Sequence, residues 1–308
     1  MMVFGFLLFL SLFAVIGISS VLHSRGTKKD YYLASSSIPP SLVGLSAVAT
    51  NNSGYMFIGV IGYTYVTGLA SIWLMTGWIL GDMVASSLVH RRLRIATERT
   101  GEVSYAGVLS AWNGNRNVVL QRLAAAVTLI FLMAYAGAQL VAGSKALHVL
   151  FDWPEWTGAV IGAVLVAVYC FSGGIRASIW TDAAQSVVMM LAMSLLLIVA
   201  TSSVGGVSGA IEQMGRVEGF LDLFPKGLVF PGLFGGLFFA VSWGFAGLSV
   251  AGQPHVMVRF MTLDCKTKMV RAKFWYYLWF IAFYAAATCC RESTCPTRVL
   301  LMPNWRCR

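Results

Sequence analysis

Charge is what this sequence has least of. Only 11% of its 308 residues are Asp, Glu, Lys or Arg, and the acids number 12 against 22 bases. So little charge beside 58% hydrophobic residues and a mean hydropathy of +0.75 excludes an ordinary soluble domain and a disordered chain. Histidine is sparse as well. His23, His90, His148 and His255 stand far apart at the ends of apolar runs, which leaves no metal-ligand spacing. Six cysteines would allow a disulfide framework. Cys170, however, lies in an apolar run, Cys265 in a basic loop, and the other four crowd after Thr288. No order of Ser, His and Asp, or of Cys and His, offers a nucleophile with its base, so the chain does not read as an enzyme.

What is present is long apolar runs. Eight can be counted, over roughly 2–22, 41–67, 69–89, 121–148, 157–173, 178–203, 229–250 and 274–290. They describe an all-α polytopic membrane protein. The net charge of +10 would suit nucleic acid if the bases formed one patch. They sit instead in the short loops between apolar runs, so membrane lipid is the expected partner and nucleic acid is not. Alternate loops hold Arg25, Lys28 and Lys29; then Arg91, Arg92, Arg94, Arg99, Arg116 and Arg122; then Arg176; then Arg259, Lys266, Lys268, Arg271 and Lys273. The intervening loops hold only Lys145, Arg216 and Lys226. That asymmetry places the basic loops inside and the N-terminus outside the cytoplasmic membrane. The first run lacks a basic start and has its bases after it, so it reads as a retained helix rather than a signal peptide.

One run is interrupted. Ala49-Thr50-Asn51-Asn52-Ser53-Gly54 lies in the middle of 41–67, about 15 Å deep in a hydrocarbon core of about 30 Å. Asn and Gly are poor helix formers, and paired amides are costly in lipid unless they face a partner or a cavity. A polar break at the midplane is how secondary transporters expose backbone carbonyls to a cation and helix ends to a substrate. Amides that only glue neighbouring helices are the alternative.

The loops sharpen the frame. Pro39-Pro40 stops any helix before the broken run begins. The longest inside loop, 90–117, is expected to carry a short amphipathic helix around 103–112, and the outside loop 205–231 a surface helix. Ser172-Gly173-Gly174 ends the fifth run. The tail, 291–308, differs from everything before it, with four arginines, two cysteines and no periodicity. A change of reading frame near the end is the expectation there, with 1–290 forming a single transmembrane transporter domain.

Three stretches carry a resemblance. Leu45-Ser46-Ala47 with Asn51-Asn52-Ser53-Gly54-Tyr55, then Gly173-Gly174-Ile175-Arg176 with Trp180-Thr181-Asp182 and Gln185, then Gly252-Gln253-Pro254-His255 with Arg259-Phe260-Met261, resemble the sodium:solute symporter family in order and spacing. The likeness is nearest to its sodium/proline symporters and covers roughly 31–287. It implies the inverted five-plus-five helix repeat of the leucine-transporter architecture, preceded by an extra N-terminal helix and with the second repeat incomplete. It also implies sodium as the coupling ion, no other cofactor, and a small organic solute such as proline or another amino acid as substrate.

By position, the resemblance assigns sodium binding to Ala49, Asn51, Asn52, Ser53 and Asp182. It assigns substrate contacts to Ser53, Gly54, Tyr55, Trp243 and Ala246, with Trp243 on a second candidate broken helix, and gating to Arg259. Two departures stand out. Asn51 replaces an Asp of proline symporters, which bears on sodium affinity. Ala246 and Val250 replace aromatic residues, which bears on proline as the substrate. A transporter-like sensor domain and an inactive symporter fragment are the rival readings.

Overall fold

The computed structural model describes residues 2–289, so the tail lies outside the described residues. Twelve α-helices are named here in chain order: α1 (Met2–Ser19), α2 (Lys28–Leu33), α3 (Pro40–Asn51), α4 (Gly54–Thr67), α5 (Ile72–Thr100), α6 (Tyr105–Ser110), α7 (Val118–Phe151), α8 (Trp156–Ser203), α9 (Gly206–Gly215), α10 (Gly232–Leu248), α11 (Pro254–Met261) and α12 (Met269–Cys289). Among the described residues, five helical stretches are long and apolar enough to cross a membrane: Met2–His23, Gly62–Thr100, Val118–Phe151, Gly173–Ser203 and Gly232–Gly252. Local chemistry places their ends. Thr27 caps α2 by accepting from the Asp30 amide, and Asn117 caps α7 by accepting from the Leu120 amide. The expected helices at 103–112 and 205–231 are α6 and α9.

Two boundaries differ from expectation. The segment 90–117 is not a loop throughout, because α5 continues to Thr100. Arg, Leu, Ala and Glu are good helix formers, and Arg94 and Glu98 pair one turn apart at 3.1 Å. Gly101, at φ +67°, then supplies the left-handed residue that ends it. The fifth and sixth runs also meet without a loop. Inside α8, Gly174 alone takes φ +56°, ψ −137°, a conformation open only to glycine, and turns one run into the next.

The chain divides into two compact units. The first comprises Met1–Asn51, Ala85–Val187 and Val250–Tyr277. Its core is Val43, Ala47 and Val48 of α3, Ile179 of α8, Met257, Phe260 and Met261 of α11, and Tyr276 of α12, all buried. Glycine sets its closest approach. A Cβ on Gly44 would strike the Ala272 carbonyl, so α3 and α12 touch backbone to backbone. Buried arginines tie its loops. Arg176 reaches Asp30 at 2.6 Å, and Arg94 donates to the Leu263 carbonyl at 2.7 Å. Burial opposes ionisation of Asp30, yet the Arg25 amide, the Ser35 hydroxyl and Arg176 outweigh it and hold its carboxyl below the usual carboxylate range.

The second unit comprises Asn52–Val84, Val188–Ser249 and the chain from Leu278. It too is packed on glycine. A Cβ on Gly81 would strike the Gly244 carbonyl, and one on Gly247 the Trp78 carbonyl, so α5 and α10 interlock at small residues. Trp73 stacks on Phe224 at 5.5 Å and donates to the Leu223 carbonyl, fixing the loop before α10.

Candidate functional site

α3 stops at Asn51 and α4 starts at Gly54, leaving Asn52 and Ser53 outside regular helix. Asn, Ser and Gly serve better at helix ends than inside, so three of them in a row after Asn51 end the helix. The consequence is backbone polarity within an apolar run. The end of α3 is the negative end of its helix dipole. Asn51 itself is half satisfied. Its Nδ2 donates to the Tyr276 hydroxyl at 2.6 Å, while its Oδ1 is buried without a hydrogen-bond partner. Ala49 lies two residues back, partly exposed.

Beside this helix end is a charged knot. Ser46 and Thr50 lie one turn apart on one face of α3, and Ser178 and Asp182 lie one turn apart on α8. Three hydroxyls donate to Asp182 Oδ2: Ser46 at 2.9 Å, Ser178 at 3.3 Å and Thr50 at 3.4 Å. Arg259 of α11 completes the set. Its Nη2 donates to Asp182 Oδ2 at 3.0 Å and to Ser178 Oγ at 3.1 Å, and its Nε to Ser46 Oγ at 3.1 Å. Nη1 donates to the His255 carbonyl, closing the turn of α11 onto its own side chain. With the Arg259 side chain 10% and the Asp182 side chain 20% exposed, these are charge-assisted bonds in a largely dry place. The pair can lock α11 against α3 and α8, and with Arg259 withdrawn the carboxylate would keep only its three hydroxyl donors.

Of the residues expected at the site, the structure therefore brings Asp182 and Arg259 into contact, with Ala49 and Asn51 on the adjoining end of α3. Asn52, Ser53, Gly54, Trp243 and Ala246 belong to the second unit. Asn52 is buried, and its Nδ2 has no hydrogen-bond partner. The Tyr55 side chain lies outside the described residues. Trp243 packs edge-on against Tyr63 at 5.8 Å and buries its indole Nε1 without a hydrogen-bond partner. Its helix is a correction to the sequence reading: α10 runs unbroken from Gly232 to Leu248. Apolar and aromatic residues dominate there with no amide pair to end the helix. Asp82 of α5 is fully buried. Among the described residues no group of three or more His, Cys, Asp or Glu could hold a metal ion.

Sequence reading assigned no site role to Ser46, Thr50, Ser178 or Tyr276. The first three had a signal in their one-turn spacing with each other and with Asp182. Tyr276 had none, because only folding brings it to Asn51, 225 positions away.

Known proteins resemble this one over most of its length. The sequence model of the sodium:solute symporter family matches residues 31–291. Sodium/proline symporters of Staphylococcus aureus strains JH9 and COL are each 32% identical over 260 residues, covering 84% of this chain and 49% of the relative. The chain thus spans about half the length of the curated relatives it matches. A solved Na+-coupled sialic acid symporter, in a substrate-bound outward-open state, aligns with a TM-score of 0.79 at 18% identity over 97% of this chain and 62% of the other. That likeness carries the fold. The bundle is leucine-transporter-like, with α1 as the extra N-terminal helix, a first five-helix repeat running from α3 through α8, and α10 and α12 in the second.

Proposed function

The chain belongs to the sodium:solute symporter family, and from that membership we propose that it serves sodium-coupled symport of a small organic solute, proline or another amino acid, across the cytoplasmic membrane. One observation carries the reading: the apolar run breaks at Asn51, where a buried amide oxygen without a hydrogen-bond partner stands at the C-terminal end of α3, the negative end of its dipole. An orphaned buried acceptor costs about 1–3 kcal/mol. A sodium ion held there by Asn51 and the Ala49 carbonyl would offset that cost, with Asn52 and Ser53 next along the chain. Asp182 and Arg259 act as an inner lock in this scheme, and Ser53, Gly54, Tyr55, Trp243 and Ala246 supply contacts to the solute.

The mechanism is differential stabilisation of states. Sodium favours the conformation in which the end of α3 can surround it, and the solute binds to that conformation. Closure outside and release of the Asp182–Arg259 lock inside then follow. One sodium ion entering down 100 mV supplies about 2.3 kcal/mol. A tenfold sodium gradient adds about 1.4 kcal/mol, enough together for roughly 500-fold accumulation of solute. The test is uptake of radiolabelled proline and competing amino acids into vesicles, with and without an inward sodium gradient. Saturable uptake that collapses without the gradient is expected; equal uptake under sodium and potassium would overturn the coupling.

A further inference from the structure

The Asn51 side chain stands at the last residue of α3. A cation ligand must be held in place, and α12 carries a hydroxyl that reaches this amide.

Gly44 and Asn51 lie seven residues apart on α3, so both are on the face that meets α12. At Gly44 the two backbones are so close that a Cβ would fall 2.9 Å from the Trp275 Cβ and 3.0 Å from the Tyr276 amide nitrogen. This contact fixes the height of α12 against α3. Two turns further along α3, the Tyr276 hydroxyl meets Asn51 Nδ2 at 2.6 Å. Tyr276 is itself fully buried and has little freedom to turn away. Its ring packs edge-on against Phe260 of α11 at 5.9 Å, and Phe260 stacks on His90 of α5 at 3.8 Å. Phe260 follows Arg259, the residue that holds Asp182. One aromatic stack therefore runs from the amide at the break of α3 to the helix carrying the lock.

We propose that Tyr276 is a positioning residue for cation binding: its hydroxyl bonds the Asn51 amide and holds that side chain at the end of α3, and its ring ties that position to α11. The proposal rests on the reading of Asn51 as a cation ligand. It assigns Tyr276 no contact with the ion.

The test is a sodium titration of the purified chain, following its thermal unfolding midpoint as NaCl replaces KCl at constant ionic strength. The wild-type midpoint rises saturably with sodium. Tyr276→Phe keeps the ring and a cooperative transition in KCl, but its half-saturating sodium concentration rises about tenfold, as for loss of one hydrogen bond. Asn51→Ala raises the half-saturation at least as far, and adding Tyr276→Phe to it changes nothing more, because no amide remains to be held. A wild-type half-saturation in Tyr276→Phe overturns the proposal, as does an equal further rise in the Asn51→Ala background. Should Tyr276→Phe fail to fold, Tyr276→Met fills the space without a hydroxyl and is judged by the same two criteria. A wild-type midpoint indifferent to sodium overturns the sodium reading of the site as well, which separates that failure from a failure of the positioning role alone.

Discussion

Arg259 on α11 donates to Asp182 on α8 at 3.0 Å, and the same carboxylate oxygen takes three hydroxyls from α3 and α8. The carboxylate is thus satisfied from one side by charge and from the other by neutral donors. Asp182→Asn and Arg259→Ala each strand a partner in a mostly dry site. Each is expected to lower stability by about 3 kcal/mol, the low end for a broken buried pair, because the hydroxyls remain. Denaturant unfolding of the purified variants measures it. Arg259→Lys is expected to recover less than half of the loss, since an ammonium cannot reach Asp182, Ser178 and Ser46 from one planar group.

Glycine contacts inside each unit make a second prediction. Gly81→Ala and Gly247→Ala push a methyl into the facing backbone of α10 and α5, and each should cost about 1–3 kcal/mol or prevent folding. Gly174→Ala should be at least as damaging, because its backbone conformation excludes a side chain and the Tyr31 carbonyl lies 2.5 Å from the new Cβ. Gly137→Ala on α7 is the control. Nothing lies within 4 Å of its Cβ, so helix propensity alone acts and stabilises by about 0.5–1 kcal/mol. Thermal midpoints of the four variants give the ranking.

His255 makes a pH prediction. Burial first, and the Arg259 charge second, push its imidazole from 6.5 down to about 4. The unfolded chain therefore takes up a proton before the folded one does. Stability should fall as pH drops from about 6.5 towards 4 and level off below, where both states are protonated. His255→Gln should flatten that part of the midpoint-against-pH curve and leave the rest unchanged.

Asp30 titrates at lower pH. Its folded carboxyl lies below the ordinary range, so the stability it contributes is complete above about pH 3.9 and is lost as pH falls through its lower folded value. Asp30→Asn should remove that acid limb. Arg176→Met leaves the buried carboxylate with only Ser35 and the Arg25 amide and should cost about 3 kcal/mol. The double variant should recover part of the loss, as a double-mutant cycle on unfolding midpoints would reveal.

The arginines illustrate where sequence reading stops. Arg94, Arg176 and Arg259 are counted by sequence as loop charges, whereas the structure places them in α5, α8 and α11. That count is blind to their burial. Arg94 reaches the carbonyl of Leu263, Arg176 the carboxylate of Asp30, and Arg259 the knot around Asp182, all through bonds spanning 77 to 169 positions. The end of α5 shows the converse error. A run of charged residues after a membrane span reads as loop, yet arginine and glutamate at helical spacing extend a helix as readily as leucine does.

The order of apolar runs, the break after Asn51, the glycine turn at Gly174 and the family to which the chain belongs were all determined by sequence alone, because each depends on residues near one another or on motifs in fixed order. Folding alone decided that the Asn51 amide meets Tyr276 and that one carboxylate collects an arginine and three hydroxyls. Those outcomes depend on which helix faces touch, and glycines such as Gly44 and Gly81 set that through close approach. No local pattern records which distant backbone a missing side chain makes room for.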